Sequence, residues 1–422
     1  MERRHHMQDF HKSRFESRIT VDILQKSSFH LSPEDDTNVS ELSRATVRPK
    51  IALVTSGLGT RHGGIGVVAD LIVSALEKDS DISVWEHHAF WPRVARIPAA
   101  VGRTFWGSLN TPDFVLYDHV DLAILHTIIP RLRPVPYAVF LHGIEVWKPL
   151  VGRRREALLG ATLLLVNSAT TQNEARVFNP WLPKAEVTWL GVERQNKMAN
   201  VASSPPVGLI VGRMADSERL KGHDSVMDAW PLIRSAVPDA RLIIVGTGND
   251  KQRLENRVKS ENLAGVEFCG WIDDARRDQM YRSCRMLFYP SKQEGYGLAG
   301  AEAASFGVPV VGLAGTVTEE LFPPGTGAVV AKDLSRESIA EAAIPLFRNA
   351  QHAQSLGSAG AARVNAVFLR EHFASRLRRA LALRLSVYEE VATNLSRTEL
   401  RKKNVSASAD VASPKSQQPS TM

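Results

Sequence analysis

Two glutamates, Glu294 and Glu302, lie eight residues apart in the segment SKQEGYGLAGAE, which joins a predicted strand to a predicted helix. Gly295 and Gly297 leave backbone N–H groups unscreened by side chains, as a phosphate cradle requires. The helix is predicted to begin near Leu298, so its positive N-terminus faces the same loop. The pattern therefore predicts an anion-binding loop with two carboxylates turned toward its ligand.

Two basic residues follow another predicted strand, Val207–Val211. Arg213 lies just beyond that strand, and Lys221 follows eight residues later in the segment RLKGHD. The anionic ligand predicted for the glycine loop needs fixed positive groups beside it. Arg213 and Lys221 are the candidates, with Arg219 as an alternative to Lys221.

A second glycine-rich loop, GLGTRHGGIG at residues 57–66, lies between the first predicted strand and a helix. Alone this loop is weak evidence for a ligand site, because its glycines do not fall at G-x-G-x-x-G and a plain tight turn explains it equally well. His142 follows the predicted strand Tyr137–Leu141 and therefore lies at the edge of the sheet where ligands bind. A single histidine is more often structural, so its place after the strand is what favours a function.

Short apolar strands alternate with helical segments in two series, which is typical of parallel sheets covered by helices on both faces. The first series is predicted at 50–55, 122–125, 137–141 and 163–166, and the second at 207–211, 240–245, 266–268, 286–289, 308–311 and 328–330. A linker containing Ser and Pro lies between them, at 201–206. Ligands of open α/β sheets bind beyond the carboxyl ends of the strands, so a cleft between the two sheets is predicted.

The same patterns divide the chain into a flexible arm at 1–48, a first α/β domain at 49–200 and a second at 201–370. A C-terminal helix is predicted at 371–392. The last segment, 393–422, is rich in Ser, Lys and Pro and is predicted to be disordered.

Composition fits a two-domain enzyme with small anionic ligands. The 422 residues are 44% apolar and 23% charged, with a net charge of +7. That charge suits anionic small molecules or an anionic membrane surface, and no RNA-binding or zinc-finger signature points to nucleic acid. No dense His/Asp/Cys cluster predicts a metal site, and Asp273-Asp274 is interpreted as a helix cap. No apolar run reaches the ~18 residues of a membrane span, so a cytoplasmic protein is expected, with at most peripheral membrane contact.

The string of motifs around Glu294 and Glu302 resembles the donor-binding signature of the retaining glycosyltransferases with the two-domain GT-B fold, family 4 in particular. The resemblance runs from about Ile51 to Tyr388. It implies two Rossmann-like doubly wound domains facing across a cleft, with the C-terminal helix crossing back to the first domain. It also implies a nucleotide-sugar donor as substrate, no cofactor and no metal ion.

The resemblance assigns roles to the candidate residues. Arg213 and Lys221 would bind the donor diphosphate, although the family's commonest spacing between them is shorter and this chain carries a small insertion. Glu302 would accept hydrogen bonds from the ribose hydroxyls, because two carboxylate oxygens suit a vicinal diol. Glu294 would lie beside the transferred sugar, which the first-domain His142 would also approach.

Further positions of the implied donor site contribute backbone or apolar contacts, and they are Gly63, Gly64, Ile272, Tyr296, Gly297 and Leu298. The first-domain glycines would lie against the diphosphate and the acceptor, and the isoleucine beside the base. The three loop residues would present N–H groups to sugar and phosphate. Glu319 and Glu320 match a family glutamate near a loop that contacts the donor, and which of the two matches is open.

The implied activity is transfer of a hexose from a UDP- or GDP-sugar to a glycan or lipid-linked acceptor, in cell-envelope or exopolysaccharide synthesis. Retaining enzymes of this fold lack a generally accepted side-chain nucleophile, and the leaving phosphate helps to deprotonate the acceptor. Alternatives are GT-B relatives that transfer no sugar this way: a sugar-nucleotide epimerase, a glycogen-type phosphorylase or a non-catalytic sugar-nucleotide-binding protein. A dinucleotide-dependent oxidoreductase is a weaker alternative, because VGTGN at 245–249 opens like its fingerprint but Lys251 replaces the third glycine.

Acceptor recognition is expected in the first domain, where Trp85, Phe90, Trp91, Phe105 and Trp106 lie among arginines. Aromatic faces suit sugar rings, and a basic, apolar surface suits a lipid-linked acceptor at a membrane. A variable packed loop with solvated arginines is the other interpretation.

Overall fold

The structure is a computed structural model that describes residues 48–59, 63–87 and 93–382, with side chains in the last range from residue 98 onward. The predicted arm, apart from Arg48, and the predicted tail lie outside these residues. The predicted C-terminal helix lies outside them beyond residue 382.

Within the described residues, the first domain is built on a parallel sheet. Its strands are β1 (Lys50–Thr55), β2 (Asp81–Glu86), β3 (Phe114–Tyr117), β4 (Tyr137–Leu141), β5 (Leu163–Val166) and β6 (Glu186–Val187). They lie in the order β2-β1-β3-β4-β5-β6. The helices are α1 (Gly63–Leu76), α2 (Arg93–Gly107), α3 (Val120–Ile128), α4 (Arg153–Leu159) and α5 (Ala169–Phe178). Strands β3, β4 and β5 are buried along their whole length, as apolar strands covered on both faces must be.

One predicted strand of this domain is wrong. The run Leu122–Leu125 lies inside α3, and the strand of that region is β3, which precedes it. The His119 side chain accepts a hydrogen bond from the Asp121 N–H and so caps the helix. A short apolar run fits a strand or a buried helix equally well, and here the cap decides. The edge strand β2 was not predicted because all of its residues except Trp85 are exposed or only partly buried.

The second domain repeats the arrangement. Its strands are β7 (Val207–Val211), β8 (Arg241–Val245), β9 (Val266–Gly270), β10 (Met286–Phe288), β11 (Val310–Leu313) and β12 (Ala328–Ala331). They form a parallel sheet in the order β12-β11-β10-β7-β8-β9. The helices are α6 (His223–Ala236), α7 (Lys251–Ser260), α8 (Asp274–Ser283), α9 (Leu298–Ser305), α10 (Val317–Leu321), α11 (Arg336–Arg348) and α12 (Ala350–Val367). Each of these strands lies within two residues of its predicted bounds.

The switch point of each sheet brings the carboxyl ends of its central strands to one edge, where ligands of such folds bind. In the second sheet β7 and β10 are neighbours, so the residues that follow them, around Arg213 and Glu294, share that edge. In the first sheet β1, β3 and β4 lie side by side, and His142 follows the last of them. The sheets thus position the residues that the sequence selected.

The helical segment at 370–378 contacts the end of the first domain. Val192 pairs with Leu369 in an isolated bridge. The Arg376 guanidinium donates to the carbonyl oxygen of Thr188 at 2.5 Å and lies 5.4 Å from the centre of the Trp189 ring. This is the crossing back to the first domain that the fold prediction contained.

The segment predicted as a linker is packed rather than loose. Residues Val201–Ser203 form a short 3-10 turn, and Val201 is fully buried in the core of the second domain. Arg285 also donates a hydrogen bond to the carbonyl oxygen of Ser204. The chain therefore joins the second domain before the first residue of β7.

Candidate active site

The loop between β10 and α9 presents Glu294 at the edge of the second sheet. The Tyr289 phenol lies beside the Glu294 carboxylate and interacts with it. Burial, and then the Glu294 charge, raises the pKa of that phenol well above its ordinary value, so the phenol keeps its proton. Glu294 therefore has a neutral phenol beside it and stays partly exposed, with 22% of its side chain accessible.

Lys221 reaches this loop through local backbone packing. Gly222 has a φ of +88°, and a Cβ on it would lie 2.7 Å from the carbonyl oxygen of Pro290. The Lys292 N–H also donates to the carbonyl oxygen of Leu220 at 2.9 Å. These contacts place Lys221 Nζ 3.9 Å from a Glu294 carboxylate oxygen, so the predicted cation and the predicted sugar-binding glutamate do lie together.

Glu218 is a member of the site that the sequence did not single out. It lies in the 3-10 segment Asp216–Lys221, and its own φ and ψ depart from helical values. Its carboxylate accepts a hydrogen bond from the Arg213 guanidinium and lies 3.1 Å from Lys221 Nζ. Burial raises the pKa of Glu218, but Lys221 and Arg213 together bring it below its ordinary value. Glu218, which lies between Arg213 and Lys221 in the chain, thus supplies an anion to both cations.

Arg213 is the more accessible of the two cations, with 65% of its side chain exposed against 25% for Lys221. Arg219, the alternative to Lys221, instead pairs with Asp250 at 3.1 Å. Asp250 also accepts from Arg253, and those bonds lower its pKa to about 2. Arg219 therefore belongs to a separate ion-pair network.

The glycines of the VGTGN segment pack against the strand end that carries Arg213. A Cβ on Gly246 would lie 1.9 Å from the Gly212 carbonyl oxygen, and one on Gly248 would lie 1.8 Å from that of Met214. The space beside these glycines is filled by the chain's own backbone rather than left for a dinucleotide. Their presence is explained by close packing, which weakens the oxidoreductase alternative.

Glu302 lies on the face of α9 that meets α8. Tyr281 donates to its carboxylate at 3.2 Å, and Arg277 Nε lies 3.5 Å from the same oxygen. Burial raises the pKa of Glu302, while Arg277 and Tyr281 oppose that shift. These two partners orient the carboxylate. They lie about twenty residues before Glu302 in the chain, so no local sequence pattern indicated them.

The N-terminus of α9 is suited to bind an anion. Gly297 occupies the N-cap with a φ of +92° and offers no side-chain hydrogen bond. The first N–H groups of a helix lack intrahelical partners, so those from Leu298 onward can meet a ligand. The Tyr296 ring is buried, and its hydroxyl donates to the carbonyl oxygen of Leu190 at 2.6 Å. Tyr296 therefore anchors the loop, and only its backbone remains for the predicted contact with the donor.

His142 lies at the carboxyl end of β4. Its Nε2 contacts the carbonyl oxygen of Asp118 at 2.5 Å, which requires the proton on Nε2 and leaves Nδ1 as an acceptor. Burial lowers the pKa of His142, so the ring is neutral near pH 7. The ring also stacks on Phe140, with 5.1 Å between centroids. In this state His142 can accept a hydrogen bond from a sugar hydroxyl.

The first domain touches the Glu294 loop directly. A Cβ on Gly295 would lie 1.7 Å from the carbonyl oxygen of His142, so no larger residue fits there. A Cβ on Gly143 would lie 3.3 Å from Gly295 Cα. His142 and Glu294, predicted from separate domains, are thus brought to one place.

The remaining predicted donor positions are partly open. Gly63, with a φ of +69°, and Gly64 open α1, and a Cβ on either would meet nothing within 4 Å among the described residues. Ile272 is half-buried against the second core, and the neighbouring Trp271 is 70% exposed. The adjacent Asp273 caps α8 by accepting from the Arg276 N–H at 2.8 Å, which confirms the predicted helix cap.

The aromatic cluster predicted for the acceptor divides into two groups. Trp85 is buried, and a Cβ on Gly107 would lie 2.5 Å from its ring, so Trp85 is a core residue and that part of the prediction is wrong. Phe105 and Trp106 are exposed at the end of α2, and the Arg131 guanidinium lies 5.8 Å from the Phe105 ring centre. Phe90 and Trp91 lie outside the described residues.

The described residues contain neither a metal-binding cluster nor a helix that could span a membrane. No group of three or more His, Cys, Asp or Glu side chains in that part of the chain is arranged to hold a metal ion. None of the helices described is both long and apolar enough to cross a bilayer.

Two doubly wound domains that meet beyond the carboxyl ends of β4 and β10 define the GT-B class, and comparison of the fold agrees. The sucrose-phosphate synthase of Thermosynechococcus elongatus superposes with a TM-score of 0.65 over 82% of this chain and 100% of that one, at 18% identity. Anabaena HepE, solved in complex with UDP and glucose, gives a TM-score of 0.64 over 79% of this chain and 100% of that one, at 16% identity. At these identities the likeness shows the fold.

Residues 192–363 match the family model described as glycosyl transferases group 1. This segment belongs to that family, which confirms the resemblance seen in the sequence at this level. A GDP-mannose-dependent monoacylated alpha-(1-6)-phosphatidylinositol monomannoside mannosyltransferase of Corynebacterium glutamicum is 29% identical over 37% of this chain and 42% of its own length. The mannosylfructose-phosphate synthase of Agrobacterium fabrum is 33% identical over 25% of this chain and 24% of its own length. The chain thus spans less than half of either relative.

Proposed function

We propose that this protein is a retaining glycosyltransferase that transfers a hexose from a UDP- or GDP-sugar to a glycan or lipid-linked acceptor. The observation that carries the proposal is the approach of Lys221 to within 3.9 Å of Glu294, beside the uncapped N-terminus of α9. A cation and free N–H groups suit a diphosphate, and a carboxylate suits sugar hydroxyls. One donor molecule requires both kinds of group within a few ångströms.

The charges of the site fit the changes that transfer demands. As the bond between the anomeric carbon and the phosphate oxygen breaks, negative charge grows on the diphosphate, and Lys221 and Arg213 offset it. Positive charge grows on the sugar ring, and the Glu294 carboxylate stabilises it. Glu302, farther along α9, takes the ribose. Both glutamates serve a single donor, so their spacing is not that of a glycosidase pair.

His142 completes the sugar site from the opposite domain. Because its proton is held on Nε2 by the Asp118 carbonyl oxygen, Nδ1 accepts a hydrogen bond from a sugar hydroxyl. Retention of configuration follows from attack on the donor face that the diphosphate leaves, with a phosphate oxygen taking the acceptor's proton. No metal ion or cofactor has a part in this scheme.

The relatives support the choice of donor and acceptor. The Corynebacterium enzyme named above uses GDP-mannose and a phosphatidylinositol mannoside, and the HepE structure holds UDP and glucose. In this chain, the exposed Phe105 and Trp106 beside Arg131 suit a sugar ring or a lipid headgroup. These similarities and the exposed aromatic residues support a role in cell-envelope or exopolysaccharide synthesis on the cytoplasmic side of a membrane.

A panel of UDP-, GDP-, ADP- and TDP-sugars tests the donor site by thermal unfolding. A ligand that binds only the folded state raises its melting temperature, so one class of donor should stabilise the protein. Glu302→Gln should lose most of that shift, while the exposed Glu337→Gln in α11 should keep it. No shift with any donor at millimolar concentration would contradict the proposal. Donor binding followed by epimerisation, or by no turnover with any acceptor, would instead favour one of the alternatives.

A further inference from the structure

We propose that Glu320 is a positioning residue that holds the first domain against the Glu294 loop, an inference that rests on the transferase activity proposed above. Glu320 lies on α10 in the second domain, and its carboxylate accepts four hydrogen bonds from the first domain. The donors are the Ala169 N–H at 2.8 Å, the Thr170 N–H and hydroxyl at 2.7 Å each, and Trp189 Nε1 at 2.7 Å.

Three of these four bonds come from the first turn of α5. The first N–H groups of a helix have no intrahelical partner, and a negative charge at that end is favourable. Ser168, the N-cap residue, accepts from the Thr171 N–H, while Glu320 takes the N–H groups of Ala169 and Thr170. A residue of the second domain thus completes the capping of a first-domain helix, which it can do only while the two domains are in contact.

The other side of the same helical turn contacts the loop that carries Glu294. The hydroxyls of Ser168 and Thr171 donate to the carbonyl oxygen of Gly295 at 2.5 and 2.9 Å. Gly295 lies between Glu294 and Tyr296, so these bonds fix the backbone beside the sugar-binding carboxylate. Glu320 and the loop therefore hold one turn of α5 between them.

A second connection runs through the segment that follows β6. Trp189, which donates to Glu320, adopts a φ of +36° that few non-glycine residues take. The next residue, Leu190, accepts the Tyr296 hydroxyl at 2.6 Å. Glu320 and Tyr296 thus bind neighbouring residues of one first-domain segment.

Separation of the domains would break both connections together. Glu320, the α5 N–H groups and the Trp189 indole would return to water, and Gly295 would lose two donors. Arg213, Lys221 and Glu302 all lie in the second domain, so the nucleotide contacts proposed for these three residues survive this separation. Loss of Glu320 should consequently impair turnover more than nucleotide affinity.

Amide hydrogen exchange in the full-length protein tests the contact without any turnover. Because Ala169 and Thr170 have no intrahelical acceptor, their N–H protection reports on Glu320. Glu320→Gln and Glu320→Ala should speed their exchange at least about tenfold, a factor equivalent to about 1.4 kcal/mol. Glu319→Gln is the matched control and should leave the exchange unchanged, since Glu319 accepts from Gly315 within the second domain. Wild-type exchange rates in both Glu320 variants would overturn the proposal.

Kinetics test the positioning role. In Glu320→Gln we expect kcat to fall at least about tenfold, with the affinity for the nucleoside diphosphate within about twofold of wild type. Faster exchange with an unchanged kcat would overturn the role, as would an equal loss of nucleotide affinity. If Glu320→Ala does not fold, the measurements on Glu320→Gln, which keeps the side-chain shape, decide the test. A wild-type protein that transfers no sugar contradicts the proposed function, and the exchange measurement then decides on the contact alone.

Discussion

Replacing Glu218 by Gln should tighten the binding of nucleoside diphosphates, although most substitutions in a binding site weaken it. The Glu218 carboxylate lies against both cations assigned to the diphosphate, 3.1 Å from Lys221 Nζ and in contact with the Arg213 guanidinium. A diphosphate that binds these cations brings its own charge close to that carboxylate. The substitution removes the resulting repulsion and keeps the side-chain shape.

The magnitude follows from the geometry. Two anions that share a cation lie about 5 Å apart, and at an effective dielectric constant of about 60, for a partly exposed site, they repel by about 1 kcal/mol. The substitution also removes the Arg213–Glu218 ion pair, which helps to hold Arg213 in place. An exposed pair contributes at most about 1 kcal/mol, and because Arg213 is so accessible we expect much less. The net expectation is binding about five times tighter, since 1.4 kcal/mol corresponds to a factor of ten.

Isothermal titration with UDP and GDP at low ionic strength measures this change. The gain should shrink as salt is added, because screening weakens repulsion between accessible charges. Asp216→Asn, an exposed change of the same charge in the same 3-10 segment, is the control and should alter the affinity much less. Unchanged or weaker binding in Glu218→Gln would refute the reasoning and show that Glu218 mainly orders the two cations.

Three further predictions concern the cleft and its surroundings. Asp118→Asn should stabilise the protein by about 3 kcal/mol more at pH 8 than at pH 4.5. Burial raises the pKa of Asp118 to about 7, so its charged form lowers stability only at the higher pH. Equal stabilisation at both pH values in denaturant titrations would contradict this. Gly295→Ala should lower the free energy of unfolding by about 1–3 kcal/mol, because its Cβ has no room beside His142. It should also lower the transfer rate at least about tenfold. A wild-type melting temperature and activity would mean that the contact is not made in solution. EDTA should leave most of the transfer activity in place, and complete loss that added Mg²⁺ or Mn²⁺ restores would mean that a metal ion takes part.

The second domain was predictable because its signals are local. Each of its strands is a short apolar run between turn residues, and Glu294 and Glu302 belong to one strand–loop–helix unit. Such a unit fixes the distance between its own residues, so sequence spacing carries over to geometry. Arg213 and Lys221 were selected because both follow β7 in the chain, and the resemblance gave them their roles.

Contacts between distant parts of the chain were not predictable. The Glu302 partners Tyr281 and Arg277 come from another helix, and the capping of α5 by Glu320 joins residues about 150 positions apart. Nothing in a single sequence encodes which distant polar groups pair. The prediction for Trp85 failed differently, because an aromatic residue among arginines looks the same whether it packs inside or faces solvent. The strand predicted at 122–125 was wrong because four apolar residues do not distinguish a strand from a buried helix.

Transfer by the wild-type protein and by Glu294→Ala tests the central claim most directly. Release of nucleoside diphosphate should be followed with the donor found in the thermal panel and with glycan and lipid-linked acceptors, and the anomeric configuration of the product read by NMR. We predict a product that keeps the donor's configuration, a loss of at least about a hundredfold in Glu294→Ala, equivalent to about 2.7 kcal/mol, and normal rates in Glu337→Gln. A product of inverted configuration, or near-normal transfer by Glu294→Ala, would contradict the account.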